Sequence, residues 1–127
     1  MNDDLVALKA AALDHAGDAI IVIDRDGIIR VWNGFAERLF LWTADQVIGH
    51  DVKIMIPERL QGSHDRGFFT AMANGRLSSD GRARHTRAVG PAGEKIYVTM
   101  TFAVVTDDAG DAIGAVAVAR EWEREEL

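Results

Sequence analysis

The stretch AIIVIDRDGIIRVWN, residues 19–33, decides how the chain is read. Ala19 to Ile23 is a short apolar run rich in β-branched residues. Asp24-Arg25-Asp26-Gly27 is a turn with glycine at its tight point, and Ile28 to Trp32 is a second apolar run. Two such runs around a turn of this kind predict an antiparallel hairpin. The same grammar returns near the other end. Lys95 to Val105 alternates and is rich in β-branched and aromatic residues, Asp107 to Asp111 is a turn, and Ile113 to Ala119 is a further run. Arg82 to Val89 precedes the turn Gly90-Pro91-Ala92-Gly93 and is expected as a strand, although its arginines make it a poor one by propensity. Five strands in two hairpin-linked groups therefore flank a middle region of different character.

That middle region is helical. Asn33 is placed to cap a short helix over residues 34–42, with Phe35, Leu39 and either Trp42 or Phe40 turned inward. Thr43 opens another helical turn that stops at Gly49, and Asp51 to Ile56 is read as extended or irregular. A longer helix follows. Pro57 suits a helix start because its missing N–H is unpaired there anyway, and Asn74-Gly75 suits a stop with Gly75 in a left-handed cap. Between them Leu60, His64, Phe68, Ala71 and Met72 recur at spacings of three and four, which places them on one face.

At the N-terminus, Asp3 to Asp14 reads as a helix with Leu5, Leu8 and Ala12 on one face, widened by Val6 and Leu13. A lone helix of this length is marginal in water, so it must dock on the domain or on a second copy. The tail EWEREEL is expected to begin a mostly polar helix. Residues 1–16 are thus read as a dimerisation helix, 17–121 as the main domain and 122–127 as the start of an outgoing helix. Strands joined mainly by hairpins, with the helices gathered on one face, make an α+β domain in which a pocket can open between helix and sheet. Trp32, Phe35, Leu39, Ile54, Phe68 and Val98 are the expected core.

Composition narrows the function. A chain of 127 residues suits one domain, and 48% hydrophobic with 27% charged content describes a globular protein. No apolar run approaches the roughly 20 residues a spanning helix needs, and the acidic N-terminus does not read as a secretory leader. With Cys at zero, disulfides, thiolate metal sites, flavin–thiol adducts and covalent haem attachment are all excluded, and a reducing cytoplasm is the simplest setting. A net charge of −6 argues against direct nucleic-acid binding. Even so, Arg59, Arg66, Arg76, Arg82, Arg84 and Arg87 crowd into residues 58–87. They form either a solvated charged surface or a site for an internal anion such as a carboxylate. No Ser-His-Asp set, metal-ligand cluster or phosphate loop stands out, so an enzyme is not expected.

His64 is the residue with the sharpest alternatives. In the middle of an apolar helix face it is either a core histidine satisfied by a neighbour or an axial metal ligand aimed into a pocket.

Four segments together, DAIIVIDRDGIIRVWN, FAERLFLWTADQVIGHDV, MIPERLQGSHDRGF and GEKIYVTMTF, resemble the PAS domain family from about Asp18 to Arg120. The resemblance implies five antiparallel strands flanked by helices, and a sensory module that binds a small ligand. It also implies a homodimer that signals through a terminal helix to a kinase, cyclase or transcription regulator. Within the family the likeness is greatest to haem-binding oxygen sensors, in which a His-Asp pair on the long helix supplies the proximal ligand. Here that pair is His64-Asp65, which makes His64 the implied metal ligand and haem b the implied cofactor. In those sensors an arginine twenty positions on contacts oxygen from the distal side, and the same count lands on Arg84. The distal wall maps to Met100 and Phe102, with Phe68 and Ile54 taken as further walls of the site. Thr70 and Ser78 stand where those sensors carry the basic residues that hold the propionates, which would leave that task to Arg66, Arg76 or Arg82. Where the family's last strand usually runs into Asp-Ile-Thr, this chain has Arg120-Glu121-Trp122. The alternative is a member that binds another small organic ligand or none, and acts in dimerisation and protein interaction.

Overall fold

A computed structural model describes residues 2–75 and 81–122. Five strands, β1 (Ala19–Asp24), β2 (Ile29–Trp32), β3 (Arg84–Val89), β4 (Lys95–Thr106) and β5 (Ala112–Glu121), form one antiparallel sheet in the order β2-β1-β5-β4-β3. The first hairpin forms because its turn satisfies itself. The Asp24 carboxylate accepts the N–H groups of Asp26 at 2.9 Å and Ile28 at 3.1 Å, and Gly27 takes the left-handed conformation (φ 81°) that closes the turn. The β1–β5 pairing then joins the two ends of the domain, running from Ala19 opposite Ala119 to Asp24 opposite Gly114.

Register decides which side chains share a face. Ile21 lies opposite Ala117, Ala117 opposite Phe102, and Ala119 opposite Met100, which in turn faces Arg84 on the edge strand. Because strand side chains alternate, this places Ala19, Ile21, Ile23, Ala115, Ala117, Ala119, Met100, Phe102, Arg84, Thr86 and Ala88 on one side of the sheet. The small alanines of β5 leave room above the middle of that side.

Four helices accompany the sheet, and the last three contact it. They are α1 (Asp3–His15), α2 (Gly34–Phe40), α3 (Ala44–Val47) and α4 (Glu58–Asn74), with a 3-10 turn over Val52–Met55 between α3 and α4. Thr43 caps α3 through a reciprocal box with Gln46, and Asp51 caps the 3-10 turn by accepting the N–H of Lys53 at 2.9 Å. Pro57 precedes α4, and Gly75 ends it in the left-handed conformation with φ 77°.

Asn33 does more than cap α2. It is fully buried. Its amide oxygen accepts the N–H groups of Ala36 at 3.0 Å and Ile20 at 2.9 Å, and its NH₂ donates to the carbonyls of Leu13 at 2.8 Å and Asp18 at 3.0 Å. One side chain thus ties the end of α1, the approach to β1 and the start of α2 together. The rest of α1 stands out from the domain, with no buried residue.

Four expectations are corrected. Of Asp51–Ile56, read as extended or irregular, only Asp51 and Ile56 are extended, because the Asp51 cap and the Ile54 N–H bond to the Asp51 carbonyl wind Val52–Met55 into the 3-10 turn. Ile54 is not a core residue: it sits on the outer side of that turn and is 36% exposed, whereas Val52 and Met55 take the inner positions. Of the two alternatives Trp42 and Phe40 it is Phe40 that is fully buried, whereas Phe35 and Leu39, expected in the core, are only partly covered, as is Trp42 just beyond α2. Finally, β5 runs on to Glu121, and Trp122 continues the ladder by donating its N–H to the Tyr97 carbonyl at 3.0 Å. The helical reading of the tail therefore fails at residues 121 and 122, and residues 123–127 lie outside the described residues. Trp32, Phe68 and Val98 are buried as expected.

Candidate functional site

Between α4, the 3-10 turn and the alanine-lined middle of the sheet lies a cavity of about 380 Å³. Its floor includes Ile21, Ala115, Ala117, Met100 and Phe102, and its roof includes Val52, Met55, Leu60, His64 and Phe68. The volume falls within the usual range for a small-molecule site, about 300–1,000 Å³. The periodicity of α4 accounts for the roof: Phe68, Ala71 and Met72 are buried on its inner face, and His64 lies one turn before Phe68. The His64 and Phe68 rings are nearly parallel, at 7° with centroids 6.1 Å apart.

His64 borders the cavity with a side chain 28% exposed. Its Nδ1 is closed off from solvent and makes no hydrogen bond. The Asp65 Oδ1 lies 3.7 Å from that nitrogen, too far for a hydrogen bond, and Oδ2 of the same carboxylate takes the Lys53 ammonium at 3.2 Å. Burial pushes the His64 pKa below its ordinary 6.5, and the neighbouring Asp65 only partly opposes this. The imidazole is therefore neutral at pH 7, as a metal-ligating histidine must be. Among the described residues no three His, Cys, Asp or Glu side chains gather into a metal site. A metal at His64 would have to bring its other donors with it, as haem does. A neutral imidazole bordering a mostly apolar cavity fits that role.

Across the cavity Arg84 holds the position facing Met100, at the open end near the sheet edge, and makes no ion pair among the described residues. The structure brings His64, Phe68, Arg84, Met100 and Phe102 to one cavity. Ile54 does not line it, and Val52, Met55 and Ile56 stand there instead. Arg76 and Ser78 lie outside the described residues. Arg87, read from the sequence only as one of the crowded arginines, has a buried Nε without a hydrogen-bond partner. The crowding of arginines between residues 58 and 87 was the available signal.

With this geometry in view, the comparison with known proteins is direct. The family of the PAS fold matches residues 7–121. The chain belongs to the PAS family. As a PAS domain it is a sensory module of signalling proteins. It is 48% identical over 48 residues to the Sensor protein FixL of Bradyrhizobium diazoefficiens, a match covering 38% of this chain and 10% of that protein. The matched stretch is thus about a tenth of that relative's length. The PAS domain of a protein from Colwellia psychrerythraea superimposes with a TM-score of 0.77 at 22% identity, over 94% of this chain and 98% of that one. An RNA-binding light-oxygen-voltage receptor does so with a TM-score of 0.76 at 19% identity, over 95% of this chain and 34% of that one. At such identities the two structures speak for the fold alone. No helix among the described residues is long and apolar enough to cross a membrane.

Proposed function

We propose that this PAS domain is a haem-b sensor of oxygen or another small gas, with His64 as the residue that would hold the iron. The observation that carries this reading is the neutral His64 imidazole bordering an apolar cavity that Arg84 also lines. Haem would supply the iron that binds the gas. This chain's residues would do the rest. His64 would hold the iron through an imidazole nitrogen, Phe68, Met100 and Phe102 would wall the pocket against water, and the Arg84 guanidinium would offer a charge-assisted hydrogen bond to a polar ligand. Asp65, beside His64, is placed to orient the ring once the site is filled. No catalytic step is assigned to the domain.

The bound state would be relayed through a homodimer to a kinase, cyclase or transcription regulator. Support for the dimer comes from α1, where Leu5, Val6 and Leu8 are 46%, 48% and 65% exposed, leaving an apolar face that a second copy can cover.

The test is titration of the purified protein with haem b, followed by visible absorption. One haem per chain with a sharp Soret band is expected. A second reading, a different organic ligand, is favoured by one observation: Met100 and Phe102 both project from β4 into the same cavity. A protein that takes up no haem yet is stabilised by other small organic molecules would establish that second reading in its place.

A further inference from the structure

The sheet has two edges, β2 and β3, and the chain treats them differently. Along β2 the segment after α3 acts as a further strand. Ile29 donates its N–H to the His50 carbonyl and accepts that of Gly49, both at 2.9 Å, and Val52 donates to the Gly27 carbonyl at 2.9 Å. Along β3 the register leaves the edge open. The Gly90 N–H bonds the Glu94 carbonyl at 3.0 Å, and bonded pairs recur at every second residue of an antiparallel ladder. Ala88, Thr86 and Arg84 therefore turn their backbone groups to β4, while Val89, Arg87 and His85 turn theirs outward. The outward phase is visible at Val89, whose carbonyl accepts the Trp42 indole N–H at 2.9 Å. The backbone N–H and C=O groups of His85 and Arg87 have no protein partner among the described residues. Beside them a shallow hollow is lined by Arg59 and Leu60 from the start of α4 and by Tyr97 and Trp122, and no described Asp or Glu borders it. The strand and its lead-in, residues 82–87, read RARHTR in a chain of net charge −6. None of Arg59, Arg82, Arg84 and Arg87 makes an ion pair among the described residues.

We infer that the open β3 edge is a docking site for an extended acidic segment of a partner protein, which adds to the sheet as a further strand. The outward N–H and C=O groups of His85 and Arg87 pair with the incoming backbone, and the arginines along the edge favour carboxylates on it. Charge decides against a second copy seated edge to edge, since that would set the arginines of one β3 against those of the other. Charged side chains on an edge also discourage pairing with neutral apolar strands, so the same arginines that protect this edge give it its preference for an acidic one. The docking is independent of what fills the cavity.

The test uses two fluorescein-labelled peptides, one alternating glutamate with valine and one alternating lysine with valine. They are titrated into the full chain and into His85→Ala and His85→Pro. Proline at this position removes the outward N–H and spares the ladder to β4, in which that N–H takes no part. The acidic peptide is expected to bind at least about tenfold more tightly than the basic one. His85→Ala should hold the acidic peptide's affinity within about threefold, and His85→Pro should weaken it about tenfold or more. Amide hydrogen exchange needs no variant and decides alone if His85→Pro does not fold. The acidic peptide should slow exchange at His85 and Arg87 and leave Thr86 and Ala88, already bonded to β4, unchanged. Equal binding of the two peptides, equal weakening by alanine and proline, or no slowing at His85 and Arg87 would overturn the proposal. Slowing at those amides that rises with protein concentration in the absence of peptide would give the edge to a second copy and overturn it as well.

Discussion

The Asp65 carboxylate stands between two partners: its Oδ2 holds the Lys53 ammonium at 3.2 Å, while its Oδ1 stops 3.7 Å short of His64 Nδ1. Lys53 thus competes for the charge that would otherwise stabilise a protonated His64. Replacing the ammonium in Lys53→Met should raise the His64 pKa, which is measurable by NMR titration of the ring protons. An unchanged or lower value would show that Lys53 does not act on His64.

The same imidazole makes stability depend on pH. Its folded-state pKa lies below the ordinary 6.5, so between those two values the unfolded chain binds a proton that the folded chain refuses. Stability is therefore fully present above 6.5 and is lost as pH falls through the window below it. Denaturant melts at pH 7.5 and 5.5 should show this decline, and His64→Gln should lessen it. An equal decline in the variant would assign it to other groups.

Asn33 is predicted to be the most costly polar residue to truncate. Asn33→Ala removes a helix cap and leaves the carbonyls of Leu13 and Asp18 and the N–H of Ile20 without their partner. A loss of about 2–4 kcal/mol is expected from combining these effects. A loss under about 1 kcal/mol would mean that water replaces the side chain at little cost.

Close packing of β1 on β5 depends on Gly114. A Cβ built there overlaps the Ile23 carbonyl oxygen, which belongs to the strand backbone and has little freedom to move. Gly114→Ala should cost about 1–3 kcal/mol, the usual range for overpacking. For the helix side, Phe68→Ala should cost about 3–5 kcal/mol, since Phe68 is only 7% exposed between α4 and the sheet. Thermal or denaturant unfolding reads both.

The strand and helix pattern was legible where periodicity and turn chemistry agree. Asp24 to Gly27 is a turn that satisfies its own backbone, and Pro57 and Gly75 bracket α4 as their backbone preferences require. Ile54 misled because an apolar residue in a 3-10 turn can point either way, and only the tertiary packing puts Val52 and Met55 inside. Asn33 was visible as a cap, but its bonds to Leu13 and Asp18 reach across 20 and 15 residues, which no local pattern records. In the site, the helical spacing of His64 and Phe68 was enough to place both on the cavity.

The central claim is that the His64 imidazole is the chain's one bond to a haem iron. Cavity rescue tests it most directly: His64→Gly is mixed with haem b, with and without free imidazole, and the visible spectrum is compared with that of the unaltered protein. The account predicts a Soret band in the unaltered protein, its loss in His64→Gly, and its return when imidazole enters the space the side chain vacated. A Soret band of full height in His64→Gly without imidazole would contradict it.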